Sequence, residues 1–308
     1  MKSLYFDLLK ITENAAIASF PWIGAGDEFA ADSAATSAMR DTLNRMNLQG
    51  TVVIGEGEMD KAPMLFNGEK LGKATKPQLD IAVDPIDGTK AVASNYYNAI
   101  SVIAFAPKGT LLHAPDMYME KMIVGPDSKG KIDMEKPFLD NLKSIAKSKC
   151  KKLKDLNVYV QNRPRNKFYI EQIEKVGAKA HLFQDGDIVY SITTCMSNTD
   201  IDLFVGIGGA PEGVLSSVAI KSLGGDMKAR LLPKTKQDLN RCMQMGINRP
   251  DEILYHERLI NSENGVFIAT GITDNNFMQG VKKNKENYST HSILISGQEK
   301  KIRHILTE

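Results

Sequence analysis

The stretch Val83-Asp84-Pro85-Ile86-Asp87-Gly88-Thr89 closes an apolar run, residues 78–83, that predicts a short buried strand. Pro85 is expected to end that strand, because proline has no N–H to donate to a sheet ladder. Asp84 and Asp87 then come together at the strand end, and Gly88 permits a tight turn after them. Two carboxylates held this close repel each other unless a cation lies between them. The stretch therefore predicts a site for a hard cation with oxygen ligands, Mg²⁺ or Mn²⁺.

A hydroxyl at Thr89 supplies a group that the carboxylates cannot. Beside two metal-held acids it can hydrogen-bond a water that attacks a phosphate ester and aim that water in line with the phosphorus. Threonine is a weak base, so a neighbouring carboxylate accepts the proton. The alternative role of Thr89 is that of a helix N-cap. Together with the acids, the hydroxyl favours a metal-dependent phosphatase.

A second acidic segment, Gly55-Glu56-Gly57-Glu58, follows the β-branched residues 51–54, which predict a strand. The glycines let the backbone come close to a ligand. In an extended chain Glu56 and Glu58 would share one side. The alternative interpretation of so short a motif is a solvated acidic turn.

The chain of 308 residues is 42% hydrophobic and 25% charged, as in soluble globular proteins. Its net charge of +2 is too balanced to indicate a nucleic acid or an acidic membrane surface as partner, although it suits an anionic substrate. Three widely separated cysteines form no CxxC pair, so neither a structural zinc site nor a disulfide framework is predicted. No apolar run approaches membrane-spanning length. A reduced cytoplasm is the expected location.

Two domains are predicted, because the composition and the order of predicted strands and helices change along the chain. Residues 125–137 are rich in Gly, Pro, Asp and Lys, which indicates a loop, and strands alternate with helices after it. We therefore expect an α+β domain with the metal site at 1–130. An α/β domain that binds the substrate, with a mostly parallel sheet, is expected at 131–308. The last strands, near 266–269 and 292–295, could return to either domain.

A glycine-rich turn, residues 206–213, follows a predicted strand and opens a helix that contains Glu212. Such a turn presents backbone N–H groups and a positive helix end to a phosphate. It matches neither a Walker A loop nor GxGxxG, which argues against a kinase or a dinucleotide site. A purely structural turn is the alternative. Further acids that could join a site are Asp32, Asp185, Asp187 and Asp200.

A basic segment, residues 161–167, also stands at a predicted strand end. Arg163 and Arg165 flank Pro164, and two arginines held by a proline suit an oxyanion that lies away from the metals. The alternative is a solvated basic loop.

In their order and spacing these segments resemble the class II fructose-1,6-bisphosphatases of bacteria. The matching segments are 24–27 with Asp32, 54–58, 62–65, 80–89, 185–187 and 206–214. The resemblance implies a layered α/β/α/β/α fold with two sheet-containing domains, related to the lithium-sensitive sugar phosphatases. It also implies a homodimer or homotetramer that depends on Mn²⁺ or Mg²⁺. The expected reaction is hydrolysis of the 1-phosphate of fructose 1,6-bisphosphate in gluconeogenesis.

The resemblance also implies a role for each matching residue. Metal ligands would be Asp32, Glu56, Asp84, Asp87 and Glu212. Catalytic residues would be Thr89, which orients the water, with Asp84 and Glu56. Substrate-binding residues would be Asp87, Gly88, Thr89, Tyr118, Arg163, Pro164, Arg165, Asp185, Gly186, Asp187 and Gly209, with the arginines on the 6-phosphate.

One departure from that family is Asp87, where many members carry Glu. Asp is the residue that inositol monophosphatases carry at this position. Their late Trp-Asp motif is absent here, however, because the single tryptophan is Trp22. Rival substrates are therefore inositol monophosphate, sedoheptulose 1,7-bisphosphate and a nucleotide 3′-phosphate. A non-catalytic protein that binds a sugar phosphate or a metal is the rival from another class.

Overall fold

A computed structural model of the chain describes residues 4–55, 65–197 and 199–308. The described residues form helices and two mixed sheets, which confirms the predicted α/β class. Their helices are Tyr5–Ser19 (α1), Glu28–Asn44 (α2), Thr89–Ala93 (α3), Phe138–Ser148 (α4), Lys167–Lys175 (α5), Asp187–Thr193 (α6), Ala210–Ser222 (α7), Lys236–Gln244 (α8) and His256–Leu259 (α9).

Strands make up the two sheets. They are Gln49–Ile54 (β1), Lys70–Leu71 (β2), Gln78–Asp87 (β3), Ile100–Pro107 (β4), Tyr118–Val124 (β5), Asn157–Gln161 (β6), Lys179–Phe183 (β7), Leu203–Gly209 (β8), Asp226–Leu231 (β9), Leu254–Tyr255 (β10), Val266–Gly271 (β11), Lys282–Asn284 (β12), Asn287–Ser296 (β13) and Lys301–Thr307 (β14).

The chain forms two compact units. Unit 1 consists of Met1–Leu111 and Asn264–Glu308, and unit 2 consists of Leu112–Glu263. The boundary expected at 130/131 thus lies inside unit 2. The last strands, whose destination the sequence left open, return to unit 1, because β11 pairs antiparallel with β4 along its whole length.

Unit 1 is a sheet covered by helices α1 and α2. Its strands lie in the order β12-β13-β11-β4-β3-β1-β2, with β14 paired to β13. Apolar side chains at helical spacing, such as Leu8, Ile11 and Ala15 of α1, are fully buried in the same core as Met39 of α2. The side chain of Asp27 caps α2 by accepting a hydrogen bond from the Ala30 N–H at 2.9 Å.

Strand β3 is longer at its carboxyl end than the sequence predicted. Pro85 does not end it, since β3 continues to Asp87. Between Asp84 and Asp87 the register against β4 shifts by one residue, which places Pro85 in a bulge. A proline is tolerated in a bulge because the ladder is locally interrupted there.

Unit 2 has the strand order β10-β9-β5-β8-β6-β7. The prediction of a mostly parallel sheet is wrong: β6 is parallel to β7 and β8, but β5 is antiparallel to both β8 and β9. Strand β5 enters the sheet before the strand–helix alternation starts, so the alternation carries no information about its direction. Helices α4 and α5 bury Leu142 and Ile173 against this sheet. None of the helices among the described residues has the length and apolarity needed to cross a membrane.

Candidate active site

The stretch from Val83 to Thr89 lies at the end of β3 and the start of α3. Asp87 is its last residue and is buried, and Asp84 Oδ1 accepts a hydrogen bond from the Ile86 N–H at 3.1 Å. Gly88 follows with φ +98°, a left-handed conformation that favours glycine. Because Gly88 itself is the N-cap of α3, Thr89 is the first residue of the helix and not its cap. The alternative role for Thr89 is therefore wrong.

Of the other residues predicted to bind metal, the structure describes some and not others. Asp32 is half-buried on α2, a helix that packs against α3 and β3. Glu56 lies outside the described residues, as does Glu58, so the acidic segment between β1 and β2 is not placed. Among the described residues no group of three or more His, Cys, Asp or Glu side chains has a geometry that could hold a metal ion. The metal-ligand set predicted from the sequence therefore stays a prediction.

The second unit gathers several predicted substrate-binding residues at one edge of its sheet. Strands β6, β7 and β8 are parallel; the segments after β6 and β7 carry Arg163 and Asp185, and β8 ends at Gly209. Strand β5 runs the other way, so its first residue, Tyr118, lies opposite Gly209. Carboxyl ends of parallel strands are where α/β proteins bind ligands.

Two arginines follow the end of β6. The Arg163 Nη2 donates to Asp185 Oδ1 at 2.6 Å, which forms an ion pair. Arg165 is held by neutral acceptors: its Nε donates to the Ile207 carbonyl at 2.7 Å, and its Nη2 donates to Gln161 Oε1 at 2.6 Å. The segment that the alternative interpretation treated as a solvated basic loop is an ordered turn with defined partners.

A neighbouring side chain lies close to one glycine of the 206–213 turn. Asn166 is fully buried and binds the turn through its Oδ1, which accepts from the Ile207 N–H at 2.7 Å. A Cβ on Gly206 would lie only 3.1 Å from that same Oδ1. Asn166 therefore connects the arginine segment to β8, and a larger residue at position 206 would require the Asn166 side chain to shift by a few tenths of an ångström.

A buried lysine on β5 connects two other predicted segments. The Lys121 side chain is 2% exposed, forms an ion pair with Asp187 and donates to the Gly209 carbonyl at 3.1 Å. A Cβ on Gly208 would lie 2.6 Å from Asp187 Oδ2 and 3.0 Å from Lys121 Nζ, so this approach requires glycine. Lys121 fixes the start of α6 and the glycine-rich turn at the start of α7.

Glu212 lies in the first turn of α7, near this ion pair. Burial raises the pKa of the Glu212 carboxyl, and the charge of Lys121 opposes that rise. Its Oε2 is buried and has no hydrogen-bond partner among the described residues. A buried carboxylate oxygen of this kind needs a proton or a cation.

Sequence reasoning missed two lysines at this edge. Lys121 sits in an apolar strand, and a lysine among buried alternating residues was the signal that could have found it. Lys234 follows the carboxyl end of β9, the same sheet edge, and its Nζ lies 4.4 Å from the ring centroid of Tyr118. Finding it required the position of β9, which the sequence pattern did not predict.

Carboxylates suit hard metal ions, and arginines and lysines suit phosphate groups, which are the groups that enzymes hydrolysing phosphate esters bind. Residues 2–308 match the family model described as bacterial fructose-1,6-bisphosphatase, glpX-encoded. The chain belongs to this family of class 2 fructose-1,6-bisphosphatases.

Curated relatives agree with the family match. The chain is 42% identical to fructose-1,6-bisphosphatase 1 class 2 of Escherichia coli K12, over 99% of this chain and 94% of the relative. It is 44% identical to fructose-1,6-bisphosphatase class 2 of Haemophilus influenzae, over 99% and 95%. It is 41% identical to fructose-1,6-bisphosphatase 2 class 2 of E. coli K12, over 96% of both chains. The match therefore spans both compact units.

Proposed function

We propose that the chain hydrolyses the 1-phosphate of fructose 1,6-bisphosphate to give fructose 6-phosphate and phosphate, a reaction of gluconeogenesis. The observation that carries this proposal is the family match over residues 2–308. The cationic side chains at the sheet edge of unit 2 support a phosphate-bearing substrate. We place the enzyme in the cytoplasm as a homodimer or homotetramer.

Metal dependence is part of the proposal, with Mn²⁺ or Mg²⁺ held by Asp32, Glu56, Asp84, Asp87 and Glu212. The chemistry of these donors fits the ions, because all five are carboxylates. The buried Glu212 Oε2, which lacks a hydrogen-bond partner among the described residues, fits a cation as well. When bound, the ions neutralise phosphate charge and lower the pKa of water.

The residues at the end of β3 act on the attacking water. Thr89 begins α3 two residues after the buried Asp87 and is itself half-buried. The hydroxyl orients the water in line with the phosphorus, and Asp84 or Glu56 accepts its proton. Attack is direct and needs no covalent enzyme intermediate.

Further residues are proposed to bind the substrate. Gly88 lets the backbone approach the substrate closely after the acidic strand end. The unit 2 residues that bind the sugar and its second phosphate are Tyr118, Arg163, Pro164, Arg165, Asp185, Gly186, Asp187 and Gly209.

A substrate panel tests the proposed activity. Phosphate release is measured with Mn²⁺ from fructose 1,6-bisphosphate, sedoheptulose 1,7-bisphosphate, inositol 1-phosphate and a nucleotide 3′-phosphate. We expect kcat/KM to be highest for fructose 1,6-bisphosphate. A preference for inositol 1-phosphate would show that Asp87 defines the substrate class, and no release from any substrate would favour a binding protein.

A further inference from the structure

Strand β14 forms one border of the unit 1 sheet. Its residues, Lys301–Thr307, pair antiparallel with β13 from Thr290 to Ser296. Among the strands that the structure describes, β14 pairs with β13 alone, and most of its residues are exposed. Its outer edge therefore presents backbone N–H and C=O groups that no described strand uses. An open edge of this length is a template on which another strand can pair.

Apolar side chains are exposed on both faces of the sheet at this edge. Leu306 of β14 is 71% exposed, and Phe6 near the start of α1 is 78% exposed. Phe6 lines a groove of about 300 Å³ together with Arg303 and Ile305, which lies on the face opposite to Leu306. Apolar surface that borders an open strand edge is typical of a protein–protein contact.

The charges that flank β14 make the strand complementary to itself. Lys300 precedes the strand and Glu308 follows it, and neither forms an ion pair with another described residue. Two copies of β14 can pair antiparallel with His304 opposite its own counterpart. In that register Lys300 of each copy faces Glu308 of the other, so one ion pair closes each end.

The same register suits the other side chains of β14. Ile302 lies opposite Leu306 of the other copy, which gives an apolar cross-strand pair on one face. On the opposite face Arg303 lies against the uncharged Ile305. A pair centred on Arg303 would instead bring two guanidinium groups together. Charged residues commonly prevent the pairing of edge strands, but in the register centred on His304 no lysine or arginine faces another.

We propose that β14 is a self-association surface, on which a second copy of this chain adds its own β14 antiparallel, with the two-fold axis at His304. The occupant is a second copy because the charged and the apolar pairs both arise between different positions of one sequence, as an isologous interface requires. This inference rests on the homo-oligomer of the proposed function and assigns that oligomer a surface.

Cysteine crosslinking tests the register. His304→Cys is made in a Cys150→Ser background, because Cys150 is exposed whereas Cys195 and Cys242 are buried. A short bismaleimide should join the two introduced thiols and give a product of two chains on a denaturing gel. Lys301→Cys in the same background is the control. Its thiols would be separated by six residues of strand, about 20 Å, and should stay unlinked.

Leu306→Asp tests the apolar contact, with Met243→Asp as the matched control. Sedimentation velocity of the wild type should show two or four chains. Leu306→Asp should halve that mass, because each new carboxylate would face Ile302 of the other copy. Met243 is a 56% exposed apolar residue on α8 of unit 2, so Met243→Asp should keep the wild-type mass. Far-UV circular dichroism checks that both variants are folded.

Both results are required. Absence of the crosslink at position 304, equal crosslinking at 304 and 301, or an unchanged mass in folded Leu306→Asp would overturn the assignment of β14. A monomeric wild type would overturn the homo-oligomer together with its surface. Neither readout involves catalysis, so failure of the proposed hydrolysis is a separate outcome, observed as the absence of phosphate release by the wild type.

Discussion

At the scale of single residues, the buried charge of Lys121 has a large expected effect on stability. Its side chain is 2% exposed and that of its partner Asp187 is 11% exposed, so neither is solvated by bulk water. Burying an ion pair costs desolvation energy for both charges, and the pair is tolerated because each compensates the other. The donation from Lys121 to the Gly209 carbonyl satisfies a further proton.

Lys121→Met is expected to lower the free energy of unfolding by ~3–5 kcal/mol, because it leaves the Asp187 carboxylate buried without its cation. Urea denaturation monitored by circular dichroism measures the loss. Lys143→Met is the control, since Lys143 pairs with Asp140 on the surface at 57% and 49% exposure and should change stability by less than ~1 kcal/mol. Equal losses in the two variants would contradict the structural role given to Lys121.

Thr89→Ala is expected to lower kcat about 100-fold while KM for fructose 1,6-bisphosphate stays within about twofold. The reason is that the hydroxyl orients water in the transition state and contributes little to substrate binding. Thr89→Ser keeps the hydroxyl and should retain most of the activity. If kcat were the same in Thr89→Ala and the wild type, another group would have to orient the water.

At the scale of secondary-structure elements, sequence pattern predicted most segments but not how they pair. Apolar residues at helical spacing in 3–19 and an alanine-rich stretch in 27–46 indicate two helices, and α1 and α2 lie there within a few residues. Pro85 was expected to end a strand that instead continues through a bulge, because the tolerance of a bulge depends on the partner strand. The direction of β5 was missed for a similar reason, since local pattern does not reveal which strands become neighbours.

The contact between α9 and α7 predicts a pH dependence of stability. His256 is buried at the start of α9, and its Nε2 lies 2.8 Å from the Ser217 carbonyl of α7. Burial lowers the pKa of His256, although the hydrogen bond to Ser217 opposes this. The unfolded chain therefore binds a proton that the folded chain does not, so stability is complete above about pH 6.5 and falls below it.

Urea denaturation between pH 8 and pH 5 checks this contribution. In the wild type the midpoint should fall as the pH drops below about 6.5. His256→Gln keeps a donor but cannot be protonated, so its midpoint should fall less steeply over the same range. Parallel pH profiles for the two proteins would show that His256 does not contribute.

At the scale of the whole molecule, the sequence predicted the family but not the topology. The order of the acidic, glycine-rich and basic segments identified the family, because within each short segment the chemistry requires particular residue types. The assignment of residues 264–308 to unit 1 depends on the pairing of β11 with β4, which joins segments far apart in the chain. Lys121 and Lys234 were missed for the same reason, since their partners come from distant strands.

The central claim is that the acidic residues make this protein a metal-dependent fructose-1,6-bisphosphatase. The most direct measurement is phosphate release from fructose 1,6-bisphosphate by the purified protein after treatment with EDTA and then after addition of Mn²⁺ or Mg²⁺ in excess. We expect release to stop in the chelator and to return with either ion. Undiminished release by protein shown to be metal-free would contradict the claim.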